Sequence, residues 1–284
     1  MRENQFPHSL SLCHKIDKVI QRENRMNLFY LLQGIHYKGI MYKGNLEVRN
    51  LKSSSSNQEL KRLVGQAAAD LVEDGMTIGV GTGSTVAFFI EKLGERVRHG
   101  LKVKAVPTSY QSKIACHQMQ IPLMEAGMID RLDMAIDGAD EIDHDLNAIK
   151  GGGAAHTNEK IIASMADSFI LIADQSKLVH HLGMQFPIPV EIIPNALGFV
   201  IQRIKALGGD PKIRIAVKKD GPVVTDNGNF IADIYFTKAP DIHKLNIELK
   251  MIPGVVDHGL FIGIAKKALI AGEKGILTLT APAL

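Results

Sequence analysis

Asp137, Asp140, Lys150 and Glu159 are the residues whose types and spacing could do acid–base chemistry in this chain. The two aspartates stand in Asp137-Gly138-Ala139-Asp140-Glu141. Lys150 opens Lys150-Gly151-Gly152-Gly153-Ala154-Ala155, and Glu159 follows just beyond. Ahead of them, Gly79-Val80-Gly81-Thr82-Gly83-Ser84-Thr85 supplies a glycine-rich turn with three hydroxyls. An anion cradle, then carboxylates, a lysine and a flexible loop, with no metal-ligand set, points to proton transfer on a small phosphorylated substrate.

Each motif also has a plainer reading. The glycine segment is not a dinucleotide fingerprint, because G-x-G-x-x-G from Gly79 requires glycine where Ser84 stands, and the lysine of a P-loop is absent. The residues alone support an anion-binding helix start and an ordinary capped turn equally. The acidic run through Asp143 and Asp145 lacks EF-hand spacing and His or Cys partners, so no metal is expected. A solvated, Asp-capped loop accounts for Glu141, Asp143 and Asp145. Three consecutive glycines cost backbone entropy and suit a loop whose main chain approaches a ligand. Lys150 adds a compact charge beside that loop. By residue physics alone, Glu159 is an acid in a first helical turn, favoured there by the helix dipole. Lys61 reads as a phosphate contact or as a solvated helix lysine. Cys116 reads as buried filler, and His156 receives no role.

These residues need a framework. Apolar residues at 60, 64, 67, 68 and 71 mark one helix face, ended near Gly75. A strand at 76–80, the glycine turn and a helix at 85–93 form the start of an open α/β sheet. Further strands are predicted at 103–106, 121–123, 132–136 and 169–173, with helices up to 118 and at 159–166. Asp137 and Lys177 then fall near carboxyl edges of strands, where such sheets bind ligands. Beyond 186 the pattern changes. A strand at 187–193, a helix at 195–207, a strand at 213–217, an Asn227-Gly228 hairpin and a helix at 242–251 read as a small α+β unit of ferredoxin-like type. Segments 255–261 and 275–279 are expected to return to the main sheet. The expected fold is α/β: an open, largely parallel Rossmann-like sheet with helices on both faces (57–186 and 255–284) and an inserted ferredoxin-like subdomain (187–254).

Residues 1–56 differ from the rest. They carry a net charge of +5, against −2 for the remainder, and close on Ser53-Ser54-Ser55-Ser56. They are expected to be a disordered tail or an upstream extension, with Met26 and Met41 as later starts. The mildly acidic body argues against a nucleic-acid partner. No apolar run approaches the ~20 residues that span a bilayer. Two distant cysteines, Cys13 and Cys116, make no disulfide framework and suit a reducing cytoplasm.

The three motifs, in this order, resemble the type A ribose-5-phosphate isomerase family from about residue 60 to 277. The resemblance continues in Glu159-Lys160-Ile161-Ile162-Ala163-Ser164, in Ile172-Ala173-Asp174-Gln175-Ser176-Lys177 and in Pro189-Val190-Glu191-Ile192-Ile193-Pro194. It implies interconversion of ribose 5-phosphate and ribulose 5-phosphate without a cofactor, in a homodimer or dimer of dimers. It makes Glu159 the general base, and Asp137, Asp140 and Lys150 catalytic. It places substrate at Thr82, Gly83, Ser84 and Thr85, at Asp137, Gly138, Ala139 and Asp140, and at Lys150, Gly151, Gly152, Gly153 and Lys177. Two alternatives stand beside it: a sugar-phosphate-sensing regulator on a related fold, and an amino-sugar phosphate isomerase/deaminase.

Overall fold

The computed structural model describes residues 46–281. The first 45 residues of the expected tail lie outside the described residues. Helix α1 (Leu46–Ala69) includes the four serines read as a linker. Serine costs a helix only a few tenths of a kcal/mol relative to alanine, so the run does not by itself break one.

The main sheet grows from alternating strands and helices. Strand β1 (Thr77–Val80), helix α2 (Ser84–Arg98), strand β2 (Lys104–Pro107), helix α3 (Tyr110–Gln118) and strand β3 (Met134–Gly138) form its first part. Two short strands follow, β4 (Glu141–Ile142) and β5 (Ala148–Ile149), then helix α4 (His156–Met165) and strand β6 (Phe169–Asp174). All six residues of β6 are buried, as the apolar run of its first five requires of a strand covered on both faces. Residues 121–123, expected as a strand, make only a bridge between Leu123 and Ala105.

The second unit follows: β7 (Ile188–Ile192), α5 (Leu197–Ala206), β8 (Asp210–Ile213), β9 (Phe230–Tyr235), α6 (Ile242–Lys250) and β10 (Val255–His258). Its sheet order is β10-β7-β9-β8, with every neighbour antiparallel. This βαββαβ path is ferredoxin-like. Two expectations are corrected here. No part of 255–261 returns to the main sheet: Val255–His258 pairs with β7 and supplies the fourth strand of the small sheet, and Leu260–Phe261 pairs with β5 in a separate three-stranded sheet. The strand expected at 213–217 lies earlier, at Asp210–Ile213, as an edge strand that tolerates Pro211.

The chain closes through β11 (Leu260–Phe261), β12 (Lys267–Gly272) and β13 (Gly275–Thr280). The six-stranded sheet has the order β13-β12-β6-β3-β1-β2 and is parallel except for the β12–β13 hairpin. One apolar layer packs Val64 and Ala68 of α1 and Phe89 and Leu93 of α2 on Ile136, Ile170 and Ile172. The other packs Ile162 and Ala163 of α4 on Ala135, Phe169 and Leu171. Alternate residues of each strand thus face opposite layers. Strand β2 lies on one side of β1 and β3 on the other, so connections diverge at the carboxyl ends of β1 and β3. Open α/β sheets bind ligands at such a switch point.

Candidate active site

Both strands flanking that switch point end in a motif. Beyond β1 the chain turns through Gly81, Thr82 and Gly83 into α2. Gly83 is the residue before the helix, at φ 117°, and no side chain caps the helix N–H groups. Those groups and the positive helix end face an open cleft of about 190 Å³. Thr82, Gly83, Ser84 and Thr85 line it, and Lys61 reaches in from α1 with Nζ donating to Ser84 Oγ at 3.1 Å. Thr82 Oγ1 is tied to Thr108 Oγ1 at 2.8 Å and to Ser109 Oγ at 2.6 Å. Lys177 lines the same cleft from the single turn after β6. Two lysines, three hydroxyls and a helix N-terminus suit a phosphate dianion.

At the end of β3, Asp137 departs from expectation. It lies within the strand, one layer beneath the cleft, rather than on a turn aimed at substrate. Its Oδ1 accepts N–H bonds from Thr82 at 3.1 Å and Gly138 at 2.7 Å. A Cβ on Gly81 would fall 2.1 Å from Asp137 Cγ, so this close approach requires glycine. Asp140, three residues on, does line the cleft with Gly138 and Ala139.

Lys150 joins the acids. It is 3% exposed, and its Nζ lies 2.9 Å from Asp137 Oδ2 and 3.1 Å from Glu159 Oε2. The same Nζ donates to Gly138 O at 2.5 Å. Two buried carboxylates share one ammonium. Burial drives the Glu159 carboxyl up to about 8, helped by the Asp137 charge and opposed by Lys150. Burial also raises Asp137, against the pull of Lys150 and the two N–H bonds. For Lys150 burial acts downward, but the charges of Asp137 and Glu159 outweigh it and hold the ammonium above the ordinary lysine value. The result is a permanent cation beside a carboxylate of raised basicity, both lining the cleft.

The glycine loop completes the wall. Gly151, Gly152 and Gly153 line the cleft, with Gly151 at φ 107° and Ala154 at φ 60°. Gly152 N–H donates to Asp140 Oδ2 at 2.8 Å. A Cβ on Gly151 would approach His156 Nδ1 to 2.7 Å. His156 is wholly buried behind the loop, and burial lowers its pKa to about 4, so it packs as a neutral ring.

Glu141 requires a correction. It is not a solvated loop acid but is buried, accepting N–H bonds from Gly183 at 2.7 Å, Gln185 at 2.9 Å and Phe186 at 2.7 Å. Three convergent donors replace its lost hydration. Asp143 does act as a turn acid, accepting from Asp145 N–H at 3.0 Å and Asn147 N–H at 2.8 Å. Cys116 is buried and free, with burial pushing its thiol up to about 12.

Sequence reasoning passed over three residues. Gln111 lines the cleft from the first turn of α3, and its place just after β2 could have marked it. Glu191 is buried in β7 and accepts hydrogen bonds from Thr157 on α4 and from Thr225, Asn227 and Asn229. Arg214 reaches the glycine loop from the small sheet, and no local pattern singles it out. Among the described residues, no group of three or more His, Cys, Asp and Glu could hold a metal ion.

This geometry has known counterparts. Residues 104–275 match the family model of ribose 5-phosphate isomerase A (phosphoriboisomerase A). The chain belongs to that family. It is 49% identical to the ribose-5-phosphate isomerase A of Thermosynechococcus vestitus over 220 residues, 77% of this chain and 93% of the relative. It is also 49% identical to the Methanosarcina acetivorans enzyme, covering 78% of this chain and 94% of the relative. Among solved structures, ribose 5-phosphate isomerase A from Methanocaldococcus jannaschii superposes with a TM-score of 0.76 at 46% identity, covering 79% of this chain and 99% of that one. A D-ribose-5-phosphate isomerase in complex with phospho-erythronic acid gives a TM-score of 0.76 at 43% identity, covering 78% and 98%. As a member of this family, the chain is an enzyme that interconverts ribose 5-phosphate and ribulose 5-phosphate.

Proposed function

We propose that Glu159 is the base of this isomerisation and that Lys150 with the glycine loop stabilises its enediolate. The observation that carries this is the contact of one buried lysine with both Asp137 and Glu159 at the floor of a cleft with an anion cradle. The substrate phosphate sits on residues 82–85, Lys61 and Lys177, and its binding energy places C1 and C2 over Glu159. Asp140, which lines the cleft, passes the proton from the anomeric hydroxyl to the ring oxygen when the ring opens, while Asp137 holds Lys150 from beneath. Glu159 then takes the C2 proton. The C2–H electron pair forms the C1=C2 bond, and the carbonyl pair moves onto O1. Asp140 moves the O2 proton to O1, the C2=O2 bond forms, and Glu159 returns its proton to C1.

Charge builds on O1 and O2 in the transition state, where a fixed ammonium and main-chain N–H groups act best. The phospho-erythronic acid bound by the solved relative supports this division of the cleft, since it pairs a phosphate with a carboxylate on a four-carbon chain. This mechanism calls on no cofactor or metal, so activity should survive exhaustive dialysis against EDTA. Its place is the pentose phosphate pathway in the cytoplasm, as a homodimer or dimer of dimers; light scattering of the purified protein tests the assembly.

Incubation with ribose 5-phosphate and detection of the ketopentose tests the assignment. Ketopentose should form, and glucosamine 6-phosphate should not be turned over. Release of ammonia from glucosamine 6-phosphate in place of pentose isomerisation would overturn it.

A further inference from the structure

Arg214 stands just beyond the edge strand β8 and is held in the small sheet by its own backbone. Its N–H donates to Ile231 O at 2.8 Å, and its carbonyl accepts from Val223 N–H at 2.8 Å. One edge of its guanidinium is spent on Asp233, with Nε to Oδ2 at 2.8 Å and Nη2 to Oδ1 at 2.5 Å. The remaining Nη1 crosses to the glycine loop. It donates to Gly151 O at 2.8 Å and to Gly152 O at 3.1 Å.

A trans peptide is planar, and its C=O and N–H point in opposite directions. Fixing the Gly151 carbonyl therefore fixes the Gly152 N–H on the other side of that plane, and this N–H meets Asp140 Oδ2 at 2.8 Å. Fixing the Gly152 carbonyl likewise turns the Gly153 N–H away from Arg214, and Gly153 is one of the residues that line the cleft. Among the described residues this N–H has no hydrogen-bond partner. The Gly151 carbonyl also accepts from Ala154 N–H at 3.0 Å, so the plane that leans on Arg214 is the one carrying the Gly152 carbonyl, and a glycine peptide released there would sample many orientations. We propose that Arg214 is a positioning residue, which reaches from the ferredoxin-like subdomain to hold the Gly152–Gly153 peptide plane so that the Gly153 N–H faces the substrate's developing oxyanion. This rests on the enediolate reading above. It gives the inserted subdomain a part in catalysis that no side chain lining the cleft supplies.

Arginine is required because three nitrogens serve three residues at once, Asp233, Gly151 and Gly152. A lysine at this position keeps a charge near Asp233 but cannot also hold both carbonyls. Arg214→Lys and Arg214→Met are compared with the wild type for kcat and KM on ribose 5-phosphate, and for Kd of phospho-erythronic acid and of inorganic phosphate. Both variants should lose about 10- to 100-fold in kcat, the scale of a misaimed oxyanion donor. Affinity for phospho-erythronic acid should fall by a similar factor, while KM and the phosphate Kd stay within about threefold. If Arg214→Met does not fold, Arg214→Lys, which retains the ion pair, carries the test. A kcat within twofold of wild type overturns the proposal. So does a loss of phosphate affinity equal to the loss in kcat, because the cleft as a whole would then have loosened. Wild-type protein unable to isomerise ribose 5-phosphate would sink the enediolate reading instead, and the two ligand affinities would still judge Arg214.

Discussion

Lys150 Nζ lies 3.1 Å from Glu159 Oε2 with both side chains at most 5% exposed, yet the pair is not a simple salt bridge. Asp137 holds the same ammonium from the other side at 2.9 Å. One cation cannot neutralise two desolvated carboxylates, so a proton is held on the acids well above the usual carboxylate range. Glu159 thereby becomes a stronger base than a solvated glutamate, which abstraction of a proton from carbon demands.

The rate should report that basicity. Glu159 acts in its ionised form and its carboxyl lies at about 8, so kcat/KM should rise with pH through that region and level off above it. Glu159→Gln should lower kcat by roughly 10²–10⁴-fold with KM little changed. A rate profile from pH 5 to 10 checks the limb; a plateau already complete at pH 6 would count against Glu159 as the titrating base.

Stability should move oppositely. The folded-state value of Glu159 is raised from 4.5 to about 8, so its favourable contribution is fully present below pH 4.5 and disappears as pH rises through 8. Glu159→Gln removes a buried charge that the folded enzyme holds above that pH. The variant should equal wild type near pH 4.5 and exceed it above pH 8 by on the order of a few kcal/mol. Denaturant midpoints at both pH values test this. A variant less stable than wild type at pH 9 would mean that Glu159 stabilises the fold through Lys150.

The anion site should separate from the chemistry. Lys177→Ala and Lys61→Ala should raise KM for ribose 5-phosphate roughly 5- to 50-fold with smaller changes in kcat, since both act on the non-reacting end. Unphosphorylated ribose should be a very poor substrate. Initial rates on both sugars decide it, and similar kcat/KM values would remove the phosphate from residues 82–85.

A chain starting at Ser56 should keep its thermal midpoint and kcat/KM, because the family resemblance begins near residue 60 and the solved relative is covered over 99% of its length by 79% of this chain. Removing residues through Lys61 should raise KM, since Lys61 Nζ touches Ser84 in the cleft. Thermal melts and steady-state rates on the two shortened proteins measure both outcomes.

Much of this protein is written locally. The run from Thr77 to Ser84 specifies strand, glycine turn and helix because apolar strand residues, a positive-φ glycine and a helix start follow one another within eight positions. The six apolar-rich residues of Phe169–Asp174 specify a strand buried on both faces, and Asn227-Gly228 specifies a turn, with Gly228 at φ 81°. The motifs around Asp137, Lys150 and Glu159 name the reacting groups, but not their depth. Only the fold puts Asp137 beneath the cleft and Asp140 on its wall, because that follows from where β3 ends against Gly81. Only the fold buries Glu141, whose three N–H donors come from a loop more than forty residues later. Val255–His258 has a strand pattern that fits either sheet, and pairing with β7 decides between them. Arg214 is an ordinary surface arginine by its neighbours in sequence and becomes a loop anchor only across 62 or 63 residues. Composition and periodicity act over a few residues, whereas burial, carboxylate pKa and peptide-plane orientation are set by groups the chain brings together from far apart.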